Sequence, residues 1–166
     1  MASKDLSHGK AVDKLQAMAA GIDFAMLITD MDSRPFHAIP MSTKKVDDQG
    51  LIWFLSGKDS THNANIARDN KVELVYAKPS AMEFLTVYGE ASITTDPSVL
   101  EDLYGKADDA WFDGVKDPNL TAISIRPIEA FYWDPTSNKL VTLVKMGVQA
   151  VTGSQPDLMD QGRLNV

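Results

Sequence analysis

Cysteine is absent from the 166-residue chain. That removes disulfides, thiolate zinc sites, iron–sulfur clusters and thiol nucleophiles together. Positive charge is scarce as well, with 16 Lys and Arg against 23 Asp and Glu and a net charge of −7. A field of that sign repels nucleic-acid phosphates and anionic headgroups, so nucleic acid is not an expected partner. No apolar run such as Ala25 to Ile28 approaches the roughly 18 residues that span a bilayer. The first ten residues carry Lys4, Asp5 and Lys10 and lack the apolar stretch of a secretory leader. The expected setting is cytoplasmic, with no membrane partner.

Familiar chemical motifs are missing too. The ten glycines include no G-x-G pair, so the dinucleotide fingerprint is excluded. Gly57-Lys58 resembles the end of a phosphate loop, but Ile52 stands where its first glycine belongs and Asp59 where Ser or Thr should follow. No G-x-S-x-G elbow occurs. His8, His37 and His62 have no metal-ligand spacing, and Asp47-Asp48 and Asp108-Asp109 read as solvated turns, so no metal is expected.

What is present is an ordinary globular composition, 44% hydrophobic and 23% charged, long enough to bury a core as a single domain over residues 1–166. Val12, Leu15, Met18 and Ala19 recur at helical spacing and predict a helix over 10–20, stopped by Gly21. Alternation begins near Ile22, predicting a strand to the turn at 30–35, a second over Phe36 to Lys45 and a third over Leu51 to Leu55. A short helix is expected from Ser60 to Asn70, then strands at Val72 to Tyr76 and Phe84 to Thr95, with Gly89 marking a bulge or bend. Asp96-Pro97 opens a helix to about Tyr104. Strands return at Ala122 to Trp133, interrupted near Pro127, and at Lys139 to Val144. Residues 146–166 are expected as a short helix and a polar tail. Six or seven antiparallel strands at about 22–145, without βαβ alternation, indicate a mainly β barrel with peripheral helices.

The strand-to-helix junction Trp53 to Asn63 is the one local candidate for chemistry. A polar first helical turn after an apolar strand sets unpaired N–H groups, hydroxyls and the positive end of a helix dipole at one point, which suits a phosphate. The competing reading is that Asp59 or Ser60 simply caps the helix.

The ordered set Phe24 to Thr29, Ile39-Pro40-Met41, Trp53 to Ser56 with Ser60, Val87 to Ala91, Ala110-Trp111-Phe112 with Lys116-Asp117-Pro118, and Tyr132-Trp133-Asp134 resembles the pyridoxamine 5′-phosphate oxidase-like family, and more closely its bacterial general stress protein branch. The resemblance covers about residues 10 to 160. It implies a Greek-key-like, FMN-binding split barrel, a homodimer with flavin in a cleft between subunits. FMN is the implied cofactor, FAD the alternative flavin, and a flavin-dependent oxidoreductase of unknown substrate the implied activity. Ile39, Pro40, Met41, Ser42 and Thr43 would run along the flavin ring and ribityl chain, with Phe54 and Leu55 beneath it. Ser60, Thr61 and His62 fall on the phosphate-binding segment, and Trp111 and Trp133 on aromatic positions that reach the flavin from the partner. The alternative for the tryptophans is a core or interface role.

The chain departs from that family at two points. Ile39 stands where the branch commonly has Arg, and Thr61-His62 where a basic pair follows Ser60. Ionic hydrogen bonds contribute about 1.5–3 kcal/mol each, so Lys44, Lys58 or protonated His62 would have to supply the missing cation. A cofactor-free or weakly binding relative without turnover is therefore the second reading. The oxidase itself reads its substrate with an Arg-x-His pair, and Asn138-Lys139-Leu140-Val141-Thr142 lacks the imidazole, so pyridoxamine-phosphate oxidation is not expected.

Overall fold

The computed structural model describes residues 4–135 and 159–166. Helix α1 (Gly9–Ile22) buries Ala11, Leu15, Met18 and Ala19 along one stripe. It runs through Gly21 and ends at Asp23, whose φ of 75° places it in the left-handed region while its N–H donates to the Ala19 carbonyl. The stop thus lies two residues later than glycine suggested, because an aspartate takes the left-handed position.

Strands β1 (Leu6–Ser7), β2 (Phe24–Thr29), β3 (His37–Ser42), β4 (Lys45–Val46), β5 (Ile52–Gly57), β6 (Lys71–Lys78), β7 (Glu83–Thr94), β8 (Leu120–Pro135) and β9 (Met159–Asn165) alternate with α2 (Thr61–Arg68) and α3 (Pro97–Leu103). They form one sheet in the order β1-β9-β8-β7-β6-β2-β3, with β5 joined to both β4 and β8. This is a sheet wrapped on itself but not closed: a split barrel.

Three expectations need correction. The strand expected over Phe36 to Lys45 is two strands, because the chain changes partner in its middle. Thr43 N–H still donates to Asp23, next to β2, but Lys44 N–H donates to the Trp53 carbonyl of β5. The interruption near Pro127 is instead a bulge within one 16-residue strand. Tyr88 pairs with Glu129 and Gly89 with Pro127, leaving Ile128 without a cross-strand partner in β7. The bulge divides β8 by function: Leu120 to Ile125 pair with β5, and Phe131 to Pro135 pair with β9. Finally, part of the expected polar tail is strand β9, parallel to β1 and antiparallel to β8. Its polar composition disguises it, since only Gly162 and Leu164 are buried. With β9 and the two-residue β1 and β4, the described residues form nine strands where six or seven were expected. The expected strand at 139–144 and helix at 144–151 lie outside the described residues.

Inside the barrel, Leu27, Ile52, Phe54, Leu74, Tyr76, Leu85, Val87, Ile123 and Ile125 are fully buried with the α1 stripe. A second cluster, Leu100, Leu103, Leu120 and Ala122, packs α3 on the outer side of β5 and β8 together with Trp53, Leu55 and Phe112.

Candidate functional site

Strands β4 and β5 pair at Lys45 with Trp53 and Val46 with Ile52. Continued in both directions, that register would set His37 opposite Thr61. Strand β3, however, is terminal in the sheet and its ladder partner is β2. β3 and β5 are therefore joined at the β4 end and share no ladder beyond it, leaving an unladdered seam flanked by β3 on one side and by β5 and the start of α2 on the other. Strands that share no ladder leave backbone groups available to a ligand.

The start of α2 is fixed from several directions. Ser60 caps it, its Oγ accepting from Asn63 N–H at 3.2 Å. Lys58 N–H donates to the Asn119 carbonyl at 2.7 Å, and Asp59 N–H to Asn119 Oδ1 at 3.3 Å. Beneath the helix a buried network joins Ser56 Oγ to Asn63 Oδ1 (2.9 Å) and to Thr121 Oγ1 (2.7 Å), while Asn63 Nδ2 donates to Thr121 Oγ1 (3.0 Å). On the seam side Asn65 Nδ2 donates to Thr29 Oγ1 at 3.0 Å, and Thr29 Oγ1 lies 3.5 Å from His37 Nδ1. Arg68 closes this side by an ion pair with Asp30 at 2.6 Å.

Within this frame His62 has an unusual position. Its Nε2 is buried and has no hydrogen-bond partner among the described residues. Burial, reinforced by the nearby His37, holds its imidazole below the ordinary histidine range. A buried imidazole nitrogen without a partner is a place where a ligand atom would be satisfied rather than excluded.

The structure brings some of the expected residues to the seam and distributes others. Ile39 and Met41 are half-buried against the core from β3, whereas Pro40 and Ser42 are exposed. Thr43 is tied by its Oγ1 to the Tyr76 hydroxyl at 2.8 Å. Ser60, Thr61 and His62 stand at the opposite lip, Thr61 exposed. The cap reading for Ser60 holds, and because its oxygen accepts that bond, its own O–H can still donate elsewhere. Phe54 is fully buried in the barrel, so its side chain is unavailable to any ligand, while Leu55 points outward into the α3 cluster. Lys44 is held by Asp108 at 2.7 Å, with both side chains mostly covered. Lys58 is exposed on the rim of a shallow cavity of about 380 Å³ lined by Ser60, Asn63 and Ile93.

The tryptophans separate. Trp53 is structural, its Nε1 donating to Asp47 Oδ2 at 2.8 Å. Trp111 is 83% exposed, presented by a 3₁₀ turn (Lys106–Ala110) that Lys44 anchors through Asp108. Trp133 pairs with Phe84 and lines a cavity of about 250 Å³ with Phe131 and Arg163. It lies at the opposite end of the sheet from Thr29 and α2, since Phe84 pairs with Ala77 whereas Ile28 pairs with Glu73. Among the described residues no three His, Asp or Glu side chains group to hold a metal, and no helix is long and apolar enough to cross a membrane.

Sequence reasoning passed over Asn63, Asn65, Thr29 and His37. The sequence shows two asparagines inside an eight-residue helix, where asparagine is a poor former unless its amide is used, but it does not show which groups those amides meet.

These features define a class, the split barrels with an open seam between two strands and a capped helix at one lip. The chain belongs to the pyridoxamine 5′-phosphate oxidase like family, which matches residues 10–157. No curated protein matches it. Among solved structures, a protein of Jannaschia sp. CCS1 provisionally named general stress protein 26 superposes with a TM-score of 0.78 at 20% identity, covering 96% of this chain and 99% of that one. General stress protein 26 of Bacillus anthracis str. Sterne gives 0.65 at 20% identity over 73% and 92%. A protein of Xanthomonas citri described as a general stress FMN/FAD binding protein gives 0.65 at 24% identity over 77% and 90%. The fold is common to all of them.

Proposed function

We propose that this chain is a flavin-binding general stress-type protein that holds FMN in the seam between β3 and β5, with FAD as the alternative flavin. The observation that carries the reading is the pairing of β3's continuation with β5 at one end only, which brings Ile39 to Thr43 and Ser60 to His62 to facing lips. The family match and the flavin-binding description of the Xanthomonas citri protein support it.

The residues present fit a phosphate monoester without arginine. The Thr61 hydroxyl, the Ser60 O–H, the first-turn amides of Thr61 and His62 and the unpartnered His62 Nε2 are donors or potential donors at one lip. Ile39 and Met41 offer an apolar edge to a flat ring. Lys44 is committed to Asp108, so Lys58 and His62 remain as the nearby cationic groups.

The same reading includes a homodimer. Trp133 lies at the far end of the sheet from α2, so a ligand anchored at α2 would meet that ring across a subunit boundary. Phe24 and Met26 are 58% and 40% exposed on the outer face of β2; Met26 stands between Pro40 and Val75 in register, and together they offer the apolar patch that a partner would cover.

A bound flavin would supply two-electron redox chemistry; the chain's own residues bind it, orient it and exclude water from it. The reaction is proposed as an oxidoreduction of unassigned substrate rather than pyridoxamine-phosphate oxidation, since Asn138 to Thr142, outside the described residues, lacks the Arg-x-His pair.

The test is the absorbance of the purified protein near the flavin bands and chromatographic identification of what a denatured sample releases. Released FMN supports the reading. A colourless protein that leaves added FMN fluorescence unquenched at tens of micromolar overturns it and puts the cofactor-free relative first.

A further inference from the structure

Lys44 stands where β3 passes into β4, at the joined end of the seam, and its ammonium is met by Asp108 at 2.7 Å with both side chains mostly covered. The same Asp108 oxygen accepts from Gly105 N–H at 2.7 Å, across the first turn of the 3₁₀ segment. Lys44 is held at its backbone too, since its N–H donates to the Trp53 carbonyl at 2.8 Å. The pair is a fixed clasp between seam and turn, unlike the solvated ion pairs of an open surface. Beyond the clasp the turn carries aromatic surface and negative charge. Trp111 is its exposed C-cap. Asp109 and Asp113 are exposed on either side of that ring in sequence, Asp109 accepting from the Tyr104 hydroxyl at 2.8 Å. Lys106 is the one cation among residues 105–115 against three aspartates, so with Lys44 neutralised this rim is net negative. A ligand anchored by its phosphate at α2 and laid along Ile39 to Thr43 ends here, so a reactant that meets its ring meets this rim as well.

We propose that Asp108 determines the charge class of the substrate: by holding Lys44 it makes the ring end of the seam turn away anions and accept planar molecules that are neutral or cationic. The proposal rests on the flavin-binding reading and names the substrate class which that reading leaves open. Asp108 acts through Lys44, and is a positioning residue rather than a catalytic one. An anion entering beside Lys44 would have to displace Asp108, leaving a covered carboxylate with the Gly105 amide as its remaining donor among the described residues, which is costly. It would also meet Asp109 and Asp113, charges of its own sign. A planar cation meets neither obstacle, and the Trp111 indole offers it a face that attracts positive charge.

The experiment uses benzamidine, benzamide and benzoate, which are planar, similar in size and respectively cationic, neutral and anionic at neutral pH. They are titrated into the FMN-loaded protein, read by perturbation of the visible flavin band. They are also titrated into the flavin-free protein, read by the Trp111 indole N–H resonance, which its loss in Trp111→Phe assigns. The wild type is expected to bind benzamidine and benzamide at least about tenfold more tightly than benzoate. Asp108→Asn keeps a side-chain oxygen for Gly105 but frees Lys44, and should tighten benzoate at least about tenfold while changing benzamide by less than about twofold. Adding Lys44→Gln to that variant should remove the gain, and Asp108→Glu should keep the wild-type order. Melting curves check that each variant folds. If Asp108→Asn does not, Lys44→Gln alone decides, and by releasing the carboxylate it is expected to tighten benzamidine at least about fivefold. A merely structural Asp108 would shift all three probes alike in its variant, and that result overturns the proposal. So does a wild type that binds benzoate as well as benzamide, or an Asp108→Asn protein without a gain for benzoate; either leaves the flavin reading standing. If no FMN binds, the flavin reading fails, and the Trp111 titrations still decide the charge selectivity of this rim.

Discussion

Asn63 shows how a single amide can set the geometry of a candidate binding segment from below. It bonds Ser56 and Thr121 in a buried cluster that α2, β5 and β8 share. Asn63→Ala would leave two buried hydroxyls short of a partner and open a small void, so unfolding free energy should fall by about 2–3 kcal/mol. Urea titration measures it, with the exposed Thr61→Ala as a control expected to change stability by less than about 0.5 kcal/mol. His62 gives a pH signature of its own. Its folded-state pKa is depressed, first by burial and then by His37. Its contribution to stability is therefore present above the unfolded pKa and is lost as pH falls from that value toward the folded one. The melting temperature of the ligand-free protein should decline over that acid range, and less steeply in His62→Gln. Ser60 and His62 were legible because they follow an apolar strand at a helix start. Asn63 was not, because its partner Thr121 is 58 residues away and no local pattern marks a long-range hydrogen bond.

At the scale of elements, β8 is the member on which the architecture turns, since it pairs with three strands and changes one partner for another at its bulge. Gly89 signalled that irregularity correctly. The extra residue, Ile128, lies on the facing strand, and only the register reveals it. Gly89 is constrained by proximity, as a Cβ there would stand 2.4 Å from the Arg126 carbonyl oxygen. Gly89→Ala should cost about 1–3 kcal/mol and should shift the β7–β8 amide resonances on both sides of the bulge, which a heteronuclear NMR spectrum would display. The break between β3 and β4 was hidden for a related reason. A strand that keeps its extended backbone while changing its hydrogen-bond partner has no turn residue to announce it.

For the whole molecule, the apolar outer face of β2 is the feature that a single copy leaves unexplained. Met26 stands there between Pro40 and Val75, with Phe24 opposite Ser42 and Glu73 opposite Ile28. Burial, and then Glu129, raise the Glu73 carboxyl above the ordinary glutamate range. Light scattering at micromolar concentration should give twice the chain mass. Met26→Glu places a second charge on this face and should convert the protein to a monomer without loss of the far-ultraviolet circular dichroism signal. The barrel class was legible from alternating strands without βαβ units. The wrapping order was not, because β9 is too polar to read as a strand.

Strand β9 has a consequence for how the molecule forms. It enters between β8 and β1, so the ladder that completes this side of the sheet joins residues such as Asp5 and Arg163, which are 158 apart in sequence. Loop closure over that distance must come before any of its hydrogen bonds contribute, and topologies dominated by such contacts fold in milliseconds to seconds rather than microseconds. Stopped-flow refolding should therefore place the protein in the slow range. A chain lacking 159–166 would leave the Tyr132 edge and Leu6 uncovered, and it should accumulate as a collapsed, dye-binding species instead of reaching the native state. The last strand to be added is the one that lets the first one dock.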